Sequence, residues 1–148
     1  NNVIATGRDA AKFNTGNDVT ATGYFAAQDN TGFGVTATGS GAAENNAAGR
    51  VVTAGRQAAE TNTGTRVIAT GYLAAQNNTG DKVTATGYLA ARDNTGEGVI
   101  AIGYRAAENN SQNDIMVITD QFGNRRMELD LDNGNLRIDG SLNQNASI

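Results

Sequence analysis

The chain has 148 residues, a formal net charge of −4, 19 Gly, and no Pro, Cys, His or Trp. Without Cys or His there are no disulfides, no thiolate metal sites and no imidazole base, so no catalytic residue, metal or cofactor is expected. Residues 1–112 hold 8 basic and 9 acidic side chains. They form no basic stripe to neutralise phosphate, and no apolar run nears the roughly 20 residues that cross a bilayer, so neither nucleic acid nor membrane insertion is expected. The chain begins at Asn1 with no signal peptide in view, and it is read as a processed product or a fragment of something longer.

In chain order the first 112 residues divide into seven units of sixteen with no insertion or deletion. Val3, Val19, Val35, Val51, Val67, Val83 and Val99 form one column, and Gly7, Gly23, Gly39, Gly55, Gly71, Gly87 and Gly103 another. Ala-Ala pairs recur at 10–11 and every sixteen residues to 106–107. Asn14, Asn30, Asn46, Asn62, Asn78, Asn94 and Asn110 complete the set. A fixed period predicts a solenoid in which each unit stacks on the next. A helix pair needs roughly 30 residues per repeat, which leaves a β-coil. Val, Thr and Ile in V-x-A-x-G suit a strand, and the following Gly and the Asn-Thr-Gly group suit turns. Each coil is expected to hold two short strands and two tight bends. Seven coils at about 4.8 Å predict a parallel β-solenoid rod about 34 Å long. The Asn column is expected to form a hydrogen-bonded ladder.

The five strand positions carry no charge in any of the seven units. Val and Ala of each strand point into the coil. The opposite face carries Ile4, Thr6, Thr20, Thr22, Thr36, Thr38, Val52, Ala54, Ile68, Thr70, Thr84, Thr86, Ile100 and Ile102. A strand facing water normally alternates apolar with polar or charged residues. A thin coil of Ala, Gly and Val buries little area, so this second face is expected to pack against further copies of the chain. Charges fall elsewhere, as in the outward column Lys12, Glu44, Glu60, Arg92 and Glu108. The competing reading of the face is ice binding by Thr-x-Thr pairs. Only Thr20/Thr22, Thr36/Thr38 and Thr84/Thr86 sustain it among the units that keep V-T-A-T.

The last unit, GVIAIGYRAAENNS, resembles the head repeats of trimeric autotransporter adhesins of the Yersinia type. Their heads are left-handed parallel β-rolls of S-V-A-I-G-type strands. The resemblance covers residues 1–112 and implies a homotrimer, with Ile100, Ile102 and their column mates facing the neighbouring chains. Two departures stand out: the sixteen-residue period is longer than the usual adhesin repeat, and Thr replaces Ile in most units.

Residues 113–148 leave the pattern and are read as a strand and hairpin segment. IMVIT (115–119) is one strand. RRMELDLD (125–132) alternates Met127, Leu129 and Leu131 with charges, and a two-residue Asn133-Gly134 turn leads into NLRID (135–139). DLDNG lacks the remaining ligand spacing of a calcium loop. The phrase from Asn133 to Leu142 resembles the segment of bacteriophage tail fibres and tailspikes that precedes a self-cleaving C-terminal chaperone. That resemblance implies a homotrimeric tail fibre of the virion, whose partners are two more copies of itself and a host surface glycan or protein receptor. An adhesin head on a bacterial cell surface is the alternative.

No carboxylate among Asp29, Glu60 and Asp93 recurs beside a plausible glycan-cleaving pair. Tyr24, Tyr72, Tyr88 and Tyr104 share one column just past the Gly bend. They are candidates for surface recognition by stacking on sugar rings, with coverage of the bend and packing between copies as the other reading.

Overall fold

A computed structural model describes residues 2–139 of the chain. It is an all-β solenoid of seven coils, sixteen residues to the coil. Seven short strands repeat at fixed intervals: β1 (Val3–Thr6), β2 (Val19–Thr22), β3 (Val35–Thr38), β4 (Val51–Ala54), β5 (Val67–Thr70), β6 (Thr84–Thr86) and β7 (Ile100–Ile102). Three further strands follow: β8 (Ile115–Thr119), β9 (Arg125–Asp130) and β10 (Asn135–Ile138). All ten lie in one sheet in chain order. Each coil pairs in parallel with the residue sixteen further on, as in Val19↔Val35 and Ala21↔Ala37.

One strand forms per coil, not two. The Ala-Ala half is a run of turns in which every second residue has a positive φ. In the fifth coil these are Leu73 (55°), Ala75 (52°) and Asn77 (53°). The same three positions are positive in all seven coils, and so is the residue before the Val column from the second coil on, as in Arg66 (59°) and Lys82 (57°). The N–H groups of these left-handed residues point alternately up and down the rod, while intervening ones such as Gln76 and Asn78 bond back within the turn. Ala75 N–H donates forward to the Ala90 carbonyl at 2.8 Å. Leu73 and Asn77 N–H donate back to Arg56 and Glu60 carbonyls at 3.0 and 2.9 Å. The turn half therefore carries its own intercoil ladder. A left-handed residue other than Gly costs about 1 kcal/mol, and the bonds to both neighbouring coils hold it there.

The Gly after each strand is required by geometry. Gly71 has φ of 131°, and a Cβ there would lie 2.3 Å from the Gly87 carbonyl oxygen of the next coil. Coil backbones touch at this bend, leaving no room for a side chain.

The core is narrow and built from small groups. Val19, Val35, Val51, Val67, Val83 and Val99 are at most 1% exposed, and the strand and turn alanines meet them inside the coil. At the top, Val3 of β1 is 40% exposed, with no coil stacked above it among the described residues.

Sequence placed the end of the repeats at residue 112, yet the sheet runs on. Ile115 falls sixteen residues after Val99, and β8 pairs in parallel with β7 through Ile100↔Met116 and Ile102↔Ile118. Ile115 and Val117 continue the buried columns. Instead of an eighth turn half, the chain reverses at Asp120–Asn124 and β9 returns antiparallel to β8, followed by β10 antiparallel to β9. The expected two-residue Asn133-Gly134 turn does not form. The register Asp130↔Asn135 leaves a four-residue loop, 131–134. Asp130 organises it by accepting from the Asp132 and Asn133 N–H groups and from Asn133 Nδ2. An Asx-type cap here outcompetes the tight turn. Part of the tail phrase, residues 140–142, lies outside the described residues.

Candidate functional site

The sequence singles out three columns, and the structure places them on three different parts of each coil. The Asn column lies inside. Asn30, Asn46, Asn62, Asn78 and Asn94 are 0% exposed. Each Nδ2 donates to the Oδ1 of the preceding Asn, for example Asn62 to Asn46 at 2.9 Å and Asn94 to Asn78 at 2.8 Å. The second Nδ2 hydrogen goes to the carbonyl two residues on, as from Asn62 to Gly64 at 2.8 Å. Amides consumed in this way are structural and offer nothing to a ligand.

The Tyr column lies outside, at the corner after the Gly bend. Tyr72, Tyr88 and Tyr104 stack with centroids 5.2 and 5.1 Å apart and interplanar angles of 19° and 4°. The Arg56 guanidinium lies 5.7 Å above the free face of Tyr72, and Arg8 stands at the same distance from Tyr24. The facing rings of Tyr72, Tyr88 and Tyr104 thus cover one another, and arginine covers one face each of Tyr72 and Tyr24. Within the stack the inner ring faces are closed to a sugar laid on them, and the column stays partly exposed, with Tyr24 and Tyr88 at 43% and 45%.

The charge-free face points away from the core along the whole sheet, with the alternation buried–exposed–buried–exposed in β2 to β5. Ile4, Val52, Ile68 and Ile102 on it are 67%, 49%, 48% and 38% exposed in the single chain. Thr6, Thr20, Thr22, Thr36, Thr38, Ala54, Thr70 and Thr86 are exposed beside them, and Thr84 and Ile100 are half-buried.

Sequence reasoning missed the lower part of this face. The pairing carries it from Ile100 and Ile102 to Met116 and Ile118, then to Leu129 and Met127, then to Leu136 and Ile138. The spacing of Ile115 from Val99 was the available signal for its first step.

Carboxylates occupy the remaining outer corner and are engaged with near neighbours. Glu60 accepts from Gln57 and Gln76 at 3.0 and 2.7 Å. Asp93 accepts from Asn77 at 2.9 Å, and Arg92 reaches Glu108 at 2.6 Å. Partial burial, with the nearby Glu60 and Asp29 charges, pushes the Glu44 carboxyl up from its ordinary value. Asp29 is exposed, and no pair among these faces a shared cleft. Asp120 is held well below the usual carboxylate range by hydrogen bonds from the Asn124 side chain, from the Phe122 and Asn124 N–H groups and from Arg126. It caps the β8–β9 reversal. Among the described residues no cluster of three or more acidic side chains is placed to hold a metal ion.

A cleft of about 300 Å³ opens below the seventh coil, where β8 has a strand but no turn half beside it. Its walls include Glu108, Asn110, Gln112, Ile115, Val117 and Arg125. Among the described residues it is the open end of the coil interior. No protein-family model, no curated protein and no solved structure matches this chain.

Proposed function

We propose that the chain is the shaft of a homotrimeric fibre that attaches to a host surface, most simply the distal part of a bacteriophage tail fibre. The observation that carries this reading is the charge-free outward face on a coil whose own interior is filled mainly by Val, Ala and Asn. An exposed parallel sheet edge to edge with solvent, without one charge along it, is unusual for a surface and ordinary for an interface. Three such faces around an axis would give the combined core that one coil lacks. The resemblance of residues 1–112 to left-handed adhesin rolls points to the same assembly. The likeness of the tail phrase to fibre termini favours the virion over a bacterial cell surface. Receptor contact falls to the outer corners, where the Tyr column and the mixed charges lie. The binding partner would then be a glycan or protein met by aromatic and polar contacts.

Light scattering after size exclusion tests the assembly. A trimer that resists mild heating is expected, and binding to host-cell glycans is the following assay. A stable monomer overturns the reading. It would also leave the Thr pairs of β2, β3 and β6 facing water, and thermal hysteresis would then test ice binding.

A further inference from the structure

The outward face changes character along the rod. Its two columns contain ten positions each, counted through the strand pairing from β1 to β10, and none of the twenty is charged. In β2 and β3 all four are Thr: Thr20, Thr22, Thr36 and Thr38. In β7 to β10 all eight are large and apolar: Ile100 with Ile102, Met116 with Ile118, Leu129 with Met127, and Leu136 with Ile138. The two outermost, Leu136 and Ile138, are 56% and 37% exposed. The opposite face of β9 carries Glu128 and Asp130, and that of β10 carries Arg137. The terminal strands thus send their charges toward the open cleft side and their apolar groups outward. For a meander folding alone that is the unfavourable orientation; it continues the seam.

We infer that the strip on β7 to β10 is a docking surface for further copies of this chain, and that it aligns them side by side, parallel and in register. This rests on the oligomeric reading above and adds where association is anchored and in which direction. The occupant follows from the gradient. In a parallel arrangement each rung meets its own copy, apolar on apolar below and Thr beside Thr above, where hydroxyls can pair. In an antiparallel arrangement β9 would lie on β2 and β8 on β3. That sets Met127, Leu129, Met116 and Ile118 against four Thr and leaves hydroxyls facing hydrocarbon. A strip of ten rungs at about 4.8 Å is roughly 48 Å long. Two side chains wide, about 10 Å, it supplies on the order of 500 Å² of the roughly 800 Å² per partner of a standard interface. Along its middle rungs the strip is bordered by Arg50, Arg66 and Lys82 on one side and by the Tyr ladder on the other.

The test compares the mass of the full chain with two double variants. Leu136→Asp/Ile138→Asp is expected to raise the dissociation constant by more than about 100-fold, since charges would be buried at the anchor. Its β circular dichroism should be unchanged, because both side chains are exposed at the last strand. Thr36→Lys/Thr38→Lys is expected to act at least about tenfold less. An oligomer untouched by the first pair, or hurt more by the second, overturns the anchor while leaving the shaft reading standing. A monomeric parent chain overturns both. Direction has its own readout, independent of the folding of the Asp variant. The chain lacks Cys, so Leu136→Cys should cross-link copies to one another under mild oxidation, and Thr63→Cys on the turn side should not. Cross-linking only between Leu136→Cys and Ile4→Cys chains would show antiparallel copies and overturn the inference.

Discussion

Each coil has two halves that reach the same end by different means. The strand half uses ordinary extended backbone, with Val and Ala turned in and a standard parallel ladder between coils. The turn half uses backbone that L-residues avoid, with Leu73, Ala75 and Asn77 all left-handed in a single coil. Both halves bond every coil to its neighbours, but only the first would be extended without them. Regularity is therefore cheap on one side of the rod and conditional on the other, where adjacent coils must be in place to hold it.

The hardest blow to this arrangement falls where the halves meet. Gly71→Ala should destabilise by about 3 kcal/mol, since its Cβ would strike the Gly87 carbonyl at a φ that only Gly tolerates. A denaturant midpoint near that of the parent chain would mean the bend relaxes and the halves are less tightly coupled than the contact implies. Next comes Asn62→Ala, which strips buried bonds from Asn46, Gly64 and Asn78 together. A loss of about 2 kcal/mol is expected by chemical unfolding. The comparison itself is sharpened by two matched substitutions of buried alanines. Ala69→Gly in the strand half should cost about 1 kcal/mol more than Ala75→Gly in the turn half, where Gly relieves left-handed strain. Equal losses would break the distinction between halves. The smallest expected effect is a gain. Thr53 replaces the inward Ala in the fourth coil, and among the described residues its buried hydroxyl has no partner. Thr53→Ala should raise stability by about 1 kcal/mol in the same assay.

Much of the strand half was legible from spacing alone. Val and Ala columns at a fixed period dictate a stacked core, and Asn repeated at one depth dictates a ladder. The turn half was not legible, because nothing in an Ala-Ala pair announces a left-handed second residue. Ala takes that conformation here through hydrogen bonds to coils sixteen residues away, and propensity reads only local preference. The expected second strand was the result. The tail failed in a different manner. Met127 and Leu129 were visible as an alternating apolar set, but the face they occupy depends on β9 pairing with β8, a register that alternation alone does not supply. The two-residue turn lost to the Asp130 carboxylate for a similar reason: a side chain two to three residues upstream claimed the loop N–H groups first.

The bonds joining coil to coil run along the rod, from one residue to its partner sixteen further on. Mechanically that is a zipper rather than a shear joint. A pull applied at the two ends of one coiled chain meets one rung at a time, and each rung that gives way releases sixteen residues, about 50 Å of slack. Force spectroscopy of a single chain should accordingly record a train of small, evenly spaced extensions at low load. Chains gripping one another side by side would have to part several rungs together, and the extensions should then merge into fewer events at higher load. A shaft exposed to drag would gain in toughness from companionship more than from length.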